Sequence, residues 1–143
     1  MNRDWIIGLD IGGTKTAVVA GDARGNVLHR EQFPSEPGRG FEDMFARITG
    51  AMGRVAGEMQ SQPRAVSVSV GGPLDVLKGI VLSPPNLPGW TRVPLKDLLA
   101  ARFRAPVYVE HDGNAGRTSC TGPRHGDRHR VTVNQHDPRL RRN

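Results

Sequence analysis

The order of hydrophobic periodicities constrains this chain most, because each periodicity predicts one kind of element and their order limits the possible folds. Three segments rich in β-branched residues, joined by short turns, come first at residues 5–11, 15–20 and 27–33. Apolar residues then recur at helical spacing from Phe41 to Met59. This half predicts an antiparallel meander with a helix that covers one face of the sheet.

The second half of the chain alternates between strand and helix patterns. Residues 65–70 alternate strictly between apolar and polar side chains, as a half-buried strand does. Residues 79–82 predict a short extended segment, residues 94–103 a short helix with proline near its first turn, and residues 106–110 a further strand. The complete order βββ-α-β-α-β predicts an α/β fold with a mixed five-stranded sheet and helices.

A double glycine separates the first two strands, in the run Asp-Ile-Gly-Gly-Thr-Lys that starts at Asp10. Gly12 and Gly13 allow close approach of a ligand and leave N–H groups to face phosphate oxygens. Thr14 adds a hydroxyl, Lys15 adds a cation, and the Asp carboxylate can hold Mg²⁺ through water. A strand follows, so this is neither a Walker A loop nor a Rossmann fingerprint. The alternative interpretation, a plain Gly-Gly hairpin, is disfavoured by the flanking residues.

Later loops and strand ends contribute further candidates. Gly72 follows the alternating strand, and a backbone without a side chain there can pass close to a ligand. Asn86 offers both a donor and an acceptor to a polar ligand, although an ordinary loop asparagine is the alternative. Asp112 ends the last strand, where a carboxylate can accept a proton, although Asp-Gly is also a common turn pair.

These segments together resemble the ROK family of repressors and sugar kinases, within the actin/hexokinase-like superfamily. The double-glycine run is similar to the family's first phosphate motif, and residues 72–75 are similar to its Pro-Gly-Pro-Val-Asp segment, with Gly71 where proline is usual. Residues 85–90 resemble its sugar-contacting loop, and residues 107–115 resemble its Glu-Asn-Asp-x-Asn-Ala segment. The resemblance covers residues 5–116.

The resemblance implies the N-terminal lobe of a ribonuclease H-like, actin-like ATPase fold and a glucokinase-like activity. That activity is ATP-dependent phosphorylation of a hexose or N-acetylhexosamine hydroxyl, with ATP and Mg²⁺ as cofactors and Asp112 as the catalytic base. His111 stands where the family usually has asparagine, which leaves the sugar open. The implied ATP-binding residues are Asp10, Gly12, Gly13, Thr14 and Lys15, and the implied sugar-binding residues are Gly72, Asn86, His111 and Asp112.

The last stretch, residues 117–143, differs in composition from the rest. It holds 7 Arg and 2 Asp, a net charge of +5, whereas residues 1–116 have a net charge of +1. Four apolar residues and no aromatic residue predict a disordered segment. We therefore divide the chain at residue 116. A nucleic-acid-binding arm, a flexible end and an out-of-frame end are all open, and the abrupt loss of periodicity favours the third.

Several function classes follow from these boundaries as expectations. The sequence contains no counterpart of the family's second lobe, so the chain is expected to be inactive alone. For the intact protein, homo-oligomerisation is an open alternative. A nucleic-acid-binding protein that acts through its arginines, or a remnant of a ROK regulator, is the alternative. Regulators of the family carry a helix-turn-helix ahead of the phosphate motif. Because nine residues precede Asp10, no helix-turn-helix is expected in this sequence. The spacing of Cys120 and the histidines matches no zinc site, so no zinc is expected.

The compartment follows from simpler features. The sequence has one cysteine, no apolar run of the roughly 20 residues that a membrane helix needs, and no signal peptide. A cytoplasmic protein without membrane partners is expected.

Overall fold

The computed structural model describes residues 4–111. A short 3-10 helix, Pro37–Arg39, lies in the predicted loop before the first α-helix. The elements in chain order are β1 (Trp5–Ile11), β2 (Lys15–Asp22), β3 (Val27–Pro34), α1 (Phe41–Met59), β4 (Val66–Val70), β5 (Leu74–Asp75), β6 (Ile80–Val81), α2 (Leu95–Phe103) and β7 (Val107–His111).

Five strands form one mixed sheet in the order β3-β2-β1-β4-β7. Strand β2 pairs antiparallel with both β1 and β3, whereas β1, β4 and β7 are mutually parallel. The predicted α/β class and five-stranded mixed sheet are therefore confirmed. The two crossovers, through α1 and through α2, advance in the same direction along the sheet. Right-handed connections consequently place both helices on the same face.

The core lies between that face and the two helices. Alternate residues of β1, namely Ile7, Leu9 and Ile11, share one hydrophobic cluster with the buried side chains of both helices. Ile48 of α1 and Leu99 of α2 are fully buried in it. Burial of side chains of this size contributes about 1.5–3 kcal/mol each. The apolar faces of the two helices therefore stabilise their packing against the sheet.

One strand was not predicted from the sequence. The extended segment expected at residues 79–82 is β6, and it pairs with β5 in a separate two-stranded sheet. Two-residue strands are too short to show a periodicity, so β5 left no signal. The hairpin is tied back to α2 by the N–H of Lys96, which donates to the carbonyl of Gly79 at 3.2 Å.

Two of the sequence-based expectations fall outside the described residues. Asp112 immediately follows β7, and residues 117–143 form the arginine-rich stretch; both stay predictions. Within residues 4–111, neither helix is long and apolar enough to cross a membrane.

Candidate functional site

The carboxyl ends of the three parallel strands meet at one edge of the sheet. Ile11 at the end of β1 is in register with Val70 of β4, and Val70 is in register with His111 of β7. Neighbouring strands lie about 4.8 Å apart, so the segments that follow these three residues start side by side. One step back, Asp10 and Glu110 are both in register with the same residue of β4, Ser69.

The double glycine forms a tight turn at this edge. The N–H of Gly12 donates to the carbonyl of Lys15 at 3.0 Å, which closes the turn. A Cβ on Gly12 would lie 2.8 Å from that carbonyl oxygen, so the residue must be glycine. In the described part of the chain, the N–H groups of Gly13 and Thr14 donate to no protein acceptor. Thr14 and Lys15 are exposed, so the turn offers backbone donors, a hydroxyl and a cation to solvent.

The loop at residues 83–90 packs directly against this turn. A Cβ on Gly13 would lie 2.8 Å from the Cβ of Asn86 and 3.2 Å from its carbonyl oxygen. Asn86 itself is exposed, so its amide stays accessible beside the turn. The two segments that the sequence assigned to phosphate and to sugar are therefore in contact.

Trp90 anchors this loop to the body of the domain. Its side chain is fully buried and its ring meets that of Phe41 edge-on, with centroids 5.0 Å apart. The N–H of Ser83 donates to the Trp90 carbonyl at 2.9 Å, which closes the loop at its base. The loop that carries Asn86 is consequently held by a hydrogen bond between its two ends and by the buried Trp90 ring.

Gly72 and His111 form a second contact at the same edge. A Cβ on Gly72 would lie 2.5 Å from Nε2 of His111, so the imidazole would have to move if Gly72 carried a side chain. The peptide bond between Gly72 and Pro73 is cis. His111 is exposed at the end of β7, so its imidazole borders the strip of backbone at Gly72.

Two residues that the sequence did not single out hold the turn from behind. The hydroxyl of Ser35 donates to the carbonyl of Gly12 at 2.5 Å, and the N–H of Ser35 donates to the carbonyl of Thr14 at 2.9 Å. The guanidinium of Arg47 in turn donates to the carbonyl of Ser35. These are side-chain contacts to backbone carbonyls across the fold, and no local sequence pattern marks them.

The edge therefore brings together eight of the nine predicted site residues, and Asp112 lies outside the described residues. Among residues 4–111, no group of three or more His, Cys, Asp and Glu side chains forms a metal cluster.

Comparison with known proteins finds similarity to the ROK family over most of the chain. The ROK family model matches residues 6–130. Glucokinase from Streptomyces coelicolor is 36% identical over 111 residues, which are 76% of this chain and 33% of that protein. A xylose repressor from Caldicellulosiruptor bescii is 26% identical over 121 residues, which are 81% of this chain and 30% of that protein.

A solved structure has the same fold. The ROK family glucokinase from Streptomyces griseus, in complex with glucose and AMPPNP, superposes with a TM-score of 0.69 and 33% sequence identity. The superposition covers 79% of this chain and 35% of that chain. The chain thus spans about a third of the length of the relatives it matches.

Proposed function

The chain belongs to the ROK family, and from that premise we propose that it forms the phosphate- and sugar-binding part of an ATP-dependent sugar kinase. The substrate class is a hexose or an N-acetylhexosamine with a free hydroxyl. The observation that carries the proposal is the contact between Gly13 and Asn86, since it joins a phosphate-binding turn to a loop suited to a sugar hydroxyl. The S. griseus relative, which holds glucose and AMPPNP, supports this assignment.

The turn suits the phosphates of ATP. Small residues keep it open, and the N–H groups of Gly13 and Thr14 are available to phosphate oxygens. Lys15 places a positive charge beside them, and the half-buried Asp10 at the end of β1 is the candidate to hold Mg²⁺ through water. Bound Mg–ATP supplies the phosphoryl group and a cation that offsets its charge.

The sugar is oriented by side chains on the adjoining loops. Asn86 donates to and accepts from sugar hydroxyls, and the imidazole of His111 contributes a further hydrogen bond in place of the amide common in the family. The carboxylate of Asp112 accepts the proton of the reacting hydroxyl. The oxygen of that hydroxyl forms a bond to the terminal phosphorus as the bond to the ADP oxygen breaks. We further propose a cytoplasmic location, where ATP and free sugars meet.

A sugar-responsive regulator is the second candidate, because a xylose repressor is among the relatives. Both candidates need the sugar loop, whereas phosphoryl transfer additionally needs the base. ATP turnover that depends on Asp112 therefore separates the kinase from the regulator.

The test is a chimera in which residues 5–116 of this chain replace the matching segment of the S. coelicolor glucokinase. ATP-dependent phosphorylation is followed across a panel of hexoses and N-acetylhexosamines in a coupled assay. We expect turnover with at least one sugar, and Asp112→Asn should lower kcat by about 10²-fold or more. Asp97→Asn on the exposed side of α2 is the matched control and should leave kcat unchanged. A folded chimera that binds sugar but transfers no phosphate would contradict the kinase assignment.

A further inference from the structure

Ser35 lies fully buried directly behind the turn and contacts it twice. Its hydroxyl donates to the carbonyl of Gly12 at 2.5 Å, and its backbone N–H donates to the carbonyl of Thr14 at 2.9 Å. One residue therefore engages carbonyls on both sides of Gly13. A buried polar side chain in such a position is costly unless its hydrogen bonds are made, and here they are made to the turn.

A third partner orders the hydroxyl of Ser35. The hydroxyl of Thr16, also fully buried, lies 2.9 Å from that of Ser35. A hydroxyl has one proton to donate, and Ser35 gives its proton to Gly12, so Thr16 must be the donor of this pair. The result is a directed chain of hydrogen bonds from Thr16 through Ser35 to Gly12.

Arg47 of α1 fixes the segment that carries Ser35. Its guanidinium donates to the carbonyls of Pro34 and Ser35, at 2.7 Å and 2.5 Å, and Nε donates to the carboxylate of Asp43 at 2.9 Å. The same guanidinium lies over the ring of Phe33, 5.5 Å from its centroid. The segment that carries Ser35 is thus connected to α1 through two carbonyl contacts, and the ion pair with Asp43 inside α1 holds the Arg47 side chain in place.

The direction of these bonds decides where the turn's donors face. A trans peptide is planar, so the carbonyl of one residue and the N–H of the next point in opposite directions. Because Ser35 holds the carbonyl of Gly12 toward the interior, the N–H of Gly13 is directed away from the interior. That N–H donates to no protein acceptor in the described part of the chain.

We propose that Ser35, held by Arg47, is a positioning residue that aims the N–H of Gly13 at phosphate. This inference rests on the proposed function for its ligand, but the ordering of the turn by Ser35 is independent of any ligand. The two parts can therefore be measured separately.

The first measurement is amide hydrogen exchange on the ¹⁵N-labelled full chain without ligand. The N–H of Gly12 reports closure of the turn, and the N–H of Val68 in the middle of β4 reports the sheet. Ser35→Ala should speed exchange at Gly12 by about tenfold while leaving Val68 unchanged, since only the local opening is affected. Ser35→Thr retains the oxygen and should restore the protection. Ser61→Ala, which removes a hydroxyl that contacts Trp5 and Met59, is the control and should leave Gly12 unchanged.

The second measurement uses Mg²⁺ with inorganic tripolyphosphate as the probe. In the wild type, the amide signals of Gly13 and Thr14 should shift, and Ser35→Ala should weaken the apparent affinity by about 3- to 10-fold. Failure of the wild type to bind would contradict the proposed function, while the exchange result would still decide the role of Ser35. Unchanged exchange in Ser35→Ala, or an equal effect of Ser61→Ala, would overturn the inference.

Arg47 provides a route that leaves the buried serine intact. Arg47→Ala should speed exchange at Gly12 in the same direction as Ser35→Ala. Arg54→Ala is the control, because it removes another arginine side chain from the same helix. Arg54 pairs with Glu31 at the surface, so this variant should not change amide exchange at Gly12. Equal behaviour of the two arginine variants would overturn the part of the proposal in which Arg47 holds Ser35.

Discussion

The glycines at the sheet edge are constrained by the atoms packed against them and not by their backbone dihedral angles. Gly12, Gly13 and Gly72 have no positive φ angle, yet a Cβ on any of them would collide with a neighbour. At Gly12 and Gly13 glycine is thus required because other segments approach the backbone closely, whereas at Gly72 the His111 imidazole would have to move. The approach of Gly13 to Asn86 is the contact on which the proposed function depends.

We predict that Gly13→Ala separates the turn from the sugar loop. The added Cβ would lie 2.8 Å from that of Asn86, so one of the two segments must move. Binding of Mg–AMPPNP should weaken by tenfold or more, about 1.4 kcal/mol, as measured by calorimetry. Gly38→Ala is the matched control, because a Cβ there meets no atom within 4 Å. Equal affinities in the two variants would show that this contact is dispensable.

A second residue-scale prediction concerns pH. The side-chain amide of Asn26, followed by its backbone N–H, hydrogen-bonds the carboxylate of Asp22 and lowers its pKa below the ordinary value of 3.8. A depressed folded-state pKa means that this carboxylate adds stability above its unfolded pKa. That stability is lost as the pH falls through the lower folded value.

Removing the largest cause should reduce this lowering of the Asp22 pKa. Asn26→Ala should raise the pKa of Asp22 toward its ordinary value, as measured by NMR titration of the carboxyl carbon. Arg24→Ala keeps the backbone N–H that contacts Asp22 and removes only the smallest contribution, so it should raise the pKa less. A larger rise in Arg24→Ala than in Asn26→Ala would contradict this assignment of causes.

At the scale of elements, α1 contains a glycine that its packing does not require. Gly53 is exposed within the helix, and a Cβ there would meet no atom within 4 Å. Gly53→Ala should raise the free energy of unfolding by about 0.5–1 kcal/mol in urea denaturation, because alanine has the higher helix propensity. Gly40 precedes the helix at φ 95°, so Gly40→Ala should destabilise instead. Stabilisation by both variants would show that backbone conformation does not decide the sign.

The elements themselves were largely predictable from the sequence. The helix at Phe41–Met59 and strand β1 have their predicted ends, and the other predicted strands differ from prediction by at most two residues at an end. Long periodic patterns determine such elements because each buries one continuous face. Strand β5 and its pairing with β6 were missed because a strand of two residues carries no periodic pattern.

The meeting of the candidate residues at one edge of the sheet was predictable from the sequence, but the contacts that hold them there were not. Glycines and polar residues in loops beside strand ends are visible in the sequence, and the order of the strands brings them to one edge. Ser35 and Arg47 were missed because their partners are backbone carbonyls distant in sequence. Contacts of this kind depend on the tertiary fold rather than on residue type.

At the scale of the whole molecule, the described residues form a five-stranded sheet with α1 and α2 on one face, a small second sheet of β5 and β6, and one edge of the larger sheet at which the motifs meet. The chain spans about a third of the length of its matched relatives. Phosphoryl transfer by the whole protein and ligand binding by this chain therefore need separate experiments. Binding at the sheet edge can be measured on this chain directly.

The central claim is that the sheet edge binds phosphate and sugar at adjoining segments. The most direct test is NMR titration of the ¹⁵N-labelled 143-residue chain, first with Mg–AMPPNP and then with glucose and N-acetylglucosamine. We predict that the nucleotide shifts the amides of Gly13, Thr14 and Lys15, and that at least one sugar shifts those of Gly72 and Asn86. Shifts confined to the arginine-rich residues 117–143, with the turn and the loop unmoved at saturating ligand, would contradict the account.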